Sequence, residues 1–592
     1  MTNQTCVEDG ASPLLLDRLR AVVGRRHVLT ARADTAVYIT GYRGGPGVAV
    51  AVVRPGTLVE QWRVFKACVA ADHVVIVQAA NTGLTGGSTP HGDYDRPVVV
   101  INTLRIRGIF PVRNGAQVIC LAGATLHDLE GSLAPLDREP HSVIGSSCLG
   151  ASVVGGICNN SGGALISRGP AFTHYALFAR VDEAGEVRLH NHLGLDLGGG
   201  SDGGLALGLD PENDPDGSPH DDPETLLAAL EAGRFRDDRP LPDDRLASAQ
   251  DYDAIVRAVD APSPARYNND PARLHEASGS AGKLMVFAVR LDSFPRQART
   301  TTFYIGTNDT AELTALRRTM LTGCETLPIS AEYIHRDAFD ITATYGKDSV
   351  LLIHGFGTQR LPRLFALKAR MEAIARRIPF LPPAVIDRLL QAGSRLFPQH
   401  LPPRMRDFRD RYEHHLILKV AQPGVAEARA MLASLWPSPS GAMFECDDHE
   451  AKRAFLHRFA VAGAAVRYRA IHGDRVEDMV ALDIALRRND DEWFETLPPE
   501  IDRQVAARLY YGHFFCHVLH QDYLLHKGTD PALFKAQMLA LLDRRGAEYP
   551  AEHNVGHLYA ARPALAAHYR ALDPCNQMNP GIGKTSRKRH WH

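Results

Sequence analysis

Histidines and a carboxylate near the carboxyl end of the chain have the residue types and spacing of a catalytic or metal site. The segment LYYGHFFCHVLH places His513, His517 and His520 at i, i+4 and i+7. On a helix these imidazoles would share one face, whereas on a strand that turns they need not. A lone buried histidine is usually just hydrogen-bonded, but three in one segment favour a site. Further on, Glu552 and His553 pair a carboxylate with an imidazole, which suits a divalent metal or a general base.

Two glycine-rich stretches in the first third of the chain are typical of anion-binding loops. The first, QAANTGLTGGSTP, runs from Gln78 to Pro90 after the apolar run HVVIVQAA. It fits neither GxxxxGK[ST] nor GxGxxG, so it carries neither the NTPase loop nor the dinucleotide-binding fingerprint. The second, HSVIGSSCLGASVVGGICNNSGG, runs from His141 to Gly163. An ordinary turn explains either stretch alone, but a cofactor with two phosphates lying along the backbone explains both.

Length and composition indicate a multidomain globular protein. The chain has 592 residues and a net charge of −2, so it is too long for one core and has no global attraction to nucleic acid. Its 9 cysteines lack CxxC spacing, which favours reduced thiols in the cytoplasm over a zinc or iron–sulfur site. No apolar run approaches the roughly 20 residues of a spanning helix, and no signal-peptide pattern is present. We therefore expect neither an exported nor an integral membrane protein.

The secondary-structure elements that would position the histidines and the glycine-rich stretches are a mixture of helices and strands. Strand and helix patterns alternate around the first glycine-rich stretch and again after Thr301, which predicts α/β or α+β domains. Residues 196–222, DLGGGSDGGLALGLDPENDPDGSPHDD, are too polar to order themselves and are interpreted as a mobile loop. A calcium-binding repeat is the weaker alternative, because no nonapeptide period is kept.

A basic segment lies between Gln359 and Arg411, with leucine, isoleucine and phenylalanine interleaved. A solvated charged face is one explanation, and binding to an anionic membrane surface is another. Nucleic acid is disfavoured because aromatic stacking residues are scarce here. The cations are Arg360, Arg363, Lys368, Arg370, Arg376, Arg377, Arg388, Arg395, Arg404, Arg406, Arg409 and Arg411.

These stretches together closely resemble the bacterial FAD-dependent, quinone-linked respiratory D-lactate dehydrogenases, flavoproteins with the PCMH-type (vanillyl-alcohol-oxidase) FAD-binding fold. The runs that carry the resemblance include VQAANTGLTGGSTPHGDYDRPVVVINTLR, LYYGHFFCHVLHQDY, YPAEHNVGHLY and NPGIGKTS. The family implies an α+β fold with a two-subdomain FAD-binding domain, a cap domain for substrate and a basic, largely helical membrane segment. The corresponding ranges are 1–295 for FAD binding, 296–358 and 412–510 for the cap, 359–411 for the membrane segment and 511–592 for a carboxyl-terminal FAD and active-site segment.

The resemblance also implies which residues hold FAD. Because no His or Cys lies in a suitable position for a covalent flavin link, we expect FAD to be bound non-covalently. The residues that would contact the cofactor are Ala79, Ala80, Asn81, Thr82, Gly83, Gly87, Ser88, Gly145, Ser146, Ser152, Gly155, Gly162 and Val286.

Related D-2-hydroxy-acid dehydrogenases carry a His-x6-His pair and a later Glu-His, of which the first three bind a divalent metal and the last is the base. By that likeness His513, His520 and Glu552 would be metal ligands, and His553 would be the base. The glycines that usually surround these motifs are replaced here by phenylalanine, asparagine and valine, which puts the metal in doubt.

Arginine can grip a substrate carboxylate with two parallel hydrogen bonds. We consider Arg487 and Arg467 for that task, although either could equally be a surface arginine.

The expected function is oxidation of D-lactate to pyruvate, with electrons passed through FAD to a membrane quinone. The enzyme would lie peripherally on the cytoplasmic face of the inner membrane, held by an anionic lipid surface, with no nucleic acid partner. Two alternatives remain at this point: another FAD-dependent D-2-hydroxy-acid dehydrogenase, acting on glycolate or D-2-hydroxyglutarate, and a non-catalytic, membrane-associated nucleotide-binding protein.

Overall fold

Helices occur along the whole described chain. The computed structural model describes residues 13–41, 45–141, 150–197, 222–237, 240–356, 371 and 384–592. The helices are α1 (Pro13–Val23), α2 (Arg32–Ile39), α3 (Leu58–Ala70), α4 (Leu126–Leu133), α5 (Val153–Cys158), α6 (Pro223–Glu231), α7 (Tyr252–Arg257), α8 (Thr310–Gly323), α9 (Arg336–Tyr345), α10 (Lys347–Phe356), α11 (Val385–Ser394), α12 (Pro403–Arg411), α13 (Val425–Leu435), α14 (Asp448–Phe459), α15 (Val461–Ile471), α16 (Pro499–Asp502), α17 (Pro531–Arg544) and α18 (Pro563–Leu572).

Strands fall into an amino-terminal and a carboxyl-terminal group. The first group is β1 (Val28–Leu29), β2 (Ala51–Val53), β3 (Val74–Gln78), β4 (Val98–Asn102), β5 (Ile109–Val112), β6 (Gln117–Leu121), β7 (Arg138–Glu139), β8 (Ala176–Val181), β9 (Val187–Asn191), β10 (Met285–Asp292) and β11 (Phe294–Pro295). The second is β12 (Thr300–Thr307), β13 (Ser330–His335), β14 (His414–Ala421), β15 (Gly441–Glu445), β16 (Val476–Ala485), β17 (Val505–His513) and β18 (Val518–His526).

The amino-terminal strands build two sheets that differ in direction. The first has the order β1-β2-β4-β3, in which β2, β4 and β3 are parallel and β1 is antiparallel to β2. Its Val- and Ile-rich strands are buried, as expected for parallel strands covered on both faces. The second sheet, β5-β6-β10-β8-β9, is antiparallel throughout. The first glycine-rich stretch leaves the carboxyl end of β3 and leads to its parallel neighbour β4.

The carboxyl-terminal strands form an antiparallel seven-stranded sheet within the described residues. Its order is β15-β12-β14-β13-β17-β18-β16. Apolar residues of these strands pack against helices on both faces of the sheet, in two separate hydrophobic clusters. The division that the sequence suggested between residues 510 and 511 lies inside β17, because β17 and β18 pair as a hairpin and complete this sheet. The mixed architecture agrees with the predicted α+β class.

The basic segment is only partly described. The cations from Arg360 to Arg377, most of the glycine- and aspartate-rich loop, and Gly145 and Ser146 lie outside the described residues. Within the segment, Arg404 pairs with Glu450, Arg409 with Asp340, and Arg411 with Asp407. The charge of each of these three arginines is therefore matched by a neighbouring carboxylate. Among the described helices, none has the length and apolar character required to cross a bilayer.

Candidate active site

A large cavity brings the glycine-rich stretches and the histidines together. Its volume is about 1400 Å³, above the roughly 300–1,000 Å³ of common ligand pockets. The amino-terminal half of the chain contributes one wall, and strands β16, β17 and β18 with the loop after α17 contribute another. The cavity therefore has room for a long cofactor together with a small substrate.

The glycine-rich wall contains every predicted cofactor contact that is described. These residues are Ala79, Ala80, Asn81, Thr82, Gly83, Gly87, Ser88, Ser152, Gly155, Gly162 and Val286. A side chain at Gly83 would meet no protein atom within 4 Å, so the backbone there is open towards a ligand. The Ser152 hydroxyl accepts a hydrogen bond of 3.1 Å from the backbone N–H of Gly155 and thereby caps α5. An exposed, close-approach backbone of this kind fits a bound diphosphate cofactor.

The histidine wall is assembled by strand register. Glu332 on β13 stands opposite His513 on β17, and Asp483 on β16 stands opposite His520 on β18. Tyr511 on β17 is the partner of His520. Because directly opposed residues of antiparallel strands point to the same side, these groups share one face of the sheet. His513 and His520 therefore meet across a hairpin and not along a helix.

Glu552 lies between the two histidines. Its Oε2 is 3.2 Å from Nε2 of His513 and 3.9 Å from Nε2 of His520. The other carboxylate oxygen, Oε1, accepts a hydrogen bond of 2.8 Å from the buried guanidinium of Arg266. The backbone N–H of Glu552 donates to Oδ2 of Asp483 at 2.7 Å. The loop that carries Glu552 is thus fixed to the sheet through both its backbone and its side chain.

Buried charges set the protonation of this cluster. Burial would lower the pKa of His513, but the carboxylates of Glu332 and Glu552 raise it to about 9. Burial would raise the pKa of Glu552, but His513 and Arg266 hold it well below its usual range. Desolvation also acts against ionised Asp483, yet His553 and His520 keep its pKa below the ordinary value. Burial would likewise raise the pKa of Glu332, but His513 and Arg458 lower it. All three carboxylates are therefore ionised and attract positive charge into the site.

The ring orientations fit a divalent metal at His513, His520 and Glu552. In each histidine, Nδ1 faces a buried carboxylate, Glu332 at 2.6 Å or Asp483 at 3.3 Å, while Nε2 faces Glu552. The candidate ligand atoms lie within 4.8 Å of one another. Carboxylates that hold the outer ring nitrogen are the usual support for metal-binding histidines. The same negative pocket can alternatively hold its positive charge as a proton on His513.

His553 also lines the cavity, with 35% of its side chain exposed. Its Nε2 is 3.9 Å from Oδ2 of Asp483. The side chain is thus within reach of a substrate in the cavity and close to a carboxylate that can orient it. His517 has a different place: its Nδ1 bonds the backbone carbonyl of Arg487 at 2.9 Å, away from the cavity.

The two arginines considered from the sequence as carboxylate ligands do not reach the cavity. Arg467 pairs with Asp348 and Asp387 between helices. The backbone of Arg487 bridges to Pro264 and accepts the bond from His517. Arg467 lies on the side of α15 that faces α10 and α11, so its guanidinium is directed away from the cavity.

Arg458 on α14 is a cavity-lining cation that the sequence reasoning missed, as are Arg168, Arg296 and Lys419. It lines the cavity, is 9% exposed, and has its NH2 group 3.0 Å from Oε2 of Glu332. In the described part of the chain its Nε has no hydrogen-bond partner. A guanidinium in a cavity wall is suited to a carboxylate ligand, because it can offer parallel N–H donors to both carboxylate oxygens.

Comparisons with known proteins agree with this geometry. The family model described as "FAD binding domain" matches residues 49–188, and that described as "D-lactate dehydrogenase, membrane binding" matches residues 302–591. The chain is 55% identical to the quinone-dependent D-lactate dehydrogenase of Haemophilus influenzae, over 98% of this chain and 99% of that protein. It is 52% identical to the Escherichia coli enzyme of the same name, over 100% of this chain and 99% of that protein.

The chain belongs to the quinone-dependent D-lactate dehydrogenase family. The family resemblance expected from the sequence is therefore confirmed, and so is an FAD-dependent oxidoreductase. A Corynebacterium glutamicum enzyme of the same name is 45% identical over 97% of both chains.

Solved structures of much lower identity support the fold alone. A p-cresol methylhydroxylase with bound substrate has a TM-score of 0.56 at 12% identity, covering 97% of this chain and 96% of that chain. An alkyldihydroxyacetonephosphate synthase has a TM-score of 0.55 at 11% identity, covering 98% and 88%. The expected PCMH-type architecture of the family is thereby confirmed.

Two carboxylates of the site could have been noticed in the sequence. Glu332 in ISAEYIH and Asp483 in VALDIAL are acidic residues inside apolar strand patterns. An ionised group in a buried strand is costly unless it is paired, so each was a signal of a polar network. Arg458 carries no comparable signal, because arginines are common on exposed helix faces.

Proposed function

We propose that this member of the family oxidises D-lactate to pyruvate and passes the electrons through FAD to a membrane quinone. The single observation that carries the proposal is the shared cavity, in which the FAD-binding backbone faces His513, His520, Glu552 and His553. A hydroxy acid placed between these walls has a proton acceptor on one side and a cofactor wall on the other.

His553 is the proposed general base that takes the hydroxyl proton of D-lactate. Asp483, 3.9 Å from its Nε2, stabilises the imidazolium that results. His513 and His520, or a divalent ion held by them and Glu552, polarise the hydroxyl oxygen and favour its loss of a proton. FAD supplies the acceptor for the hydride that leaves Cα.

Arg458 is the proposed ligand for the carboxylate of D-lactate. Its guanidinium lies in the cavity and is held by Glu332, which in turn holds His513. One buried carboxylate thereby sets the distance between the group that binds the substrate carboxylate and the group that acts on the hydroxyl. Such a fixed spacing suits a 2-hydroxy acid, in which these two groups are on adjacent carbons.

Replacing His553 with alanine tests the assignment of the base. We expect the rate at which D-lactate bleaches the flavin to fall about 10²–10⁴-fold, the usual contribution of general base catalysis. His526, exposed at the end of β18, provides the matched His526→Ala control. An undiminished bleaching rate in the His553→Ala protein would rule out this role, and a panel with glycolate and D-2-hydroxyglutarate would reveal a different substrate.

A peripheral membrane site on α11 is the second part of the proposal. This helix has its polar residues buried and its apolar residues outside, the reverse of a helix on a soluble surface. Asp387, Gln391 and Ser394 are at most 8% exposed, whereas Leu389 is 64% exposed. The neighbouring exposed apolar residues are Leu390, Leu396 and Phe397.

The lipid surface is proposed to be anionic and on the cytoplasmic face of the inner membrane. Arg388 and Arg395 accompany the exposed leucines, and each such cation near an anionic surface adds about 1 kcal/mol of attraction. The described cysteines are free thiols, which suits a reducing compartment. Apolar insertion and charge attraction would then act together, as in other interfacial helices.

Vesicle co-sedimentation tests the membrane site. Replacing Leu389 and Leu390 with asparagine should weaken binding to anionic vesicles at least about tenfold, given about 1.5–3 kcal/mol for each buried leucine. Leu533→Asn, at an exposed leucine of α17, is the control. If vesicle binding is unchanged by the leucine substitutions, by the salt concentration and by the anionic lipid content, the proposal is rejected.

A further inference from the structure

One arm of the cavity is apolar and is not used by the proposed chemistry of D-lactate. It is lined by α10, α14 and α15. Phe455 and Phe459 of α14 lie one turn apart, as do Ala462 and Val466 of α15. The lining residues of this arm are Ile353, Phe455, Leu456, Phe459, Ala462 and Val466. Residues at i and i+4 share one face of a helix, so α14 and α15 each present an apolar strip to this space, and α10 adds Ile353 one turn from the polar Ser349.

The side chains that line the arm differ in exposure. Phe459 is 40% exposed and Val466 is 43% exposed, whereas Ile353 is 7% exposed. Large exposed apolar side chains that lead into a cavity mark a route for an apolar ligand. A small hydroxy acid would not bind to such a surface, because its carboxylate and hydroxyl need polar partners.

Helices α15 and α9 support α11, the proposed membrane helix. Asp387 of α11 is 3.6 Å from Nε of Arg467 on α15, and Gln391 donates to the backbone carbonyl of Thr344. One residue before Arg467, Val466 points into the cavity. The helix that anchors α11 on one side therefore lines the apolar arm on the other.

We propose that this arm is the binding site of the quinone, which enters from the bilayer beside α11. The inference rests on the proposed quinone dependence and names the residues that hold the apolar acceptor. Each quinone gains two electrons and two protons to become a quinol, and these are the two electrons and two protons that D-lactate loses on becoming pyruvate. Substrate and quinone share one cavity but approach it through polar and apolar surfaces respectively.

Photolabelling of the FAD-loaded protein with a photoreactive, short-tailed ubiquinone analogue tests the site without turnover. The label should fall on α14 and α15, and Val466→Glu should reduce it at least tenfold, because the quinone would remove water from the introduced carboxylate. Phe459→Ser is the second variant, and both positions are exposed enough to accept polar side chains without unfolding the protein. Leu533→Glu, at an exposed leucine outside the cavity, should label like the unaltered protein.

Two rates separate this inference from the proposed function. In the Val466→Glu protein, reduction of ubiquinone dissolved in anionic vesicles should fall at least tenfold, while D-lactate should bleach the flavin at a rate within about twofold of normal. Label on other elements, or undiminished labelling and quinone reduction in both variants, would overturn the site. Failure of D-lactate to bleach the flavin, with the label still on α14 and α15, would overturn the proposed function and leave the quinone site standing.

Discussion

The two walls of the cavity are built in different ways. The glycine-rich wall is consecutive backbone, from Ala79 to Ser88 and again after Gly150, and few side chains are needed to shape it. The histidine wall collects single side chains from β13, β16, β17, β18 and a loop, which are separated by up to about two hundred residues. Single substitutions in the glycine-rich wall should therefore reduce cofactor binding in small steps. A single substitution in the charge network of the histidine wall should disrupt the whole network.

Glu552→Gln should give the largest effect, because Glu552 contacts His513, His520 and Arg266 at once. We expect kcat/KM for D-lactate to fall about 10²–10⁴-fold. Loss of the charge also leaves Arg266 buried without its partner, at a cost of about 3–5 kcal/mol in the free energy of unfolding. Steady-state kinetics and denaturant unfolding measure the two effects. Glu548→Gln, four residues earlier, is the control and should change kcat/KM and the free energy of unfolding little. An active and stable Glu552→Gln protein would contradict the idea that the histidine wall depends on its charge network.

The same contrast explains what could be predicted from the sequence. The glycine-rich stretches were recognisable because a cofactor loop is contiguous, and composition over ten residues carries the signal. His513, His520, Glu552 and His553 were found by residue type and family likeness. Their partners Glu332 and Asp483 stand out as acidic residues in apolar strand patterns, but which histidine each one faces is set by strand register. The place of Arg458 is set by helix packing, which no local pattern reports.

Removal of metal decides which positive charge the histidine wall holds. If a divalent ion lies between His513, His520 and Glu552, exhaustive dialysis against a chelator should slow flavin reduction by D-lactate about 100-fold. A bound cation stabilises the developing alkoxide by several kcal/mol, and re-addition should restore the rate. Elemental analysis of the untreated protein provides the stoichiometry. An unchanged rate, with no metal found, would assign the charge to the proton on His513, whose pKa is about 9.

Gly162→Ala tests the point where the two walls meet. An added Cβ at Gly162 would lie 2.9 Å from Cγ and Oε1 of Glu552, so the carboxylate must shift. We expect kcat to fall about tenfold, which corresponds to about 1.4 kcal/mol in the activation free energy. The affinity for FAD, measured by fluorescence titration of the apoprotein, should change less than threefold. If FAD affinity falls by a larger factor than kcat, Gly162 belongs to the glycine-rich wall alone.

Gly83→Ala should give the smallest effect and should be confined to the cofactor. Because an added Cβ there meets no protein atom within 4 Å, the fold has space for it, and the free energy of unfolding should stay within about 0.5 kcal/mol. The methyl group would stand where the backbone approaches FAD, so we expect the dissociation constant of FAD to rise a few-fold, up to about tenfold, while kcat of the saturated enzyme is kept. Gly131→Ala is the matched control: it is equally open but lies in α4 outside the cavity, and it should leave FAD binding unchanged. Equal FAD affinity in the two variants would mean that this part of the loop does not contact the cofactor. The contacts of the glycine-rich wall with FAD would then begin closer to Gly87.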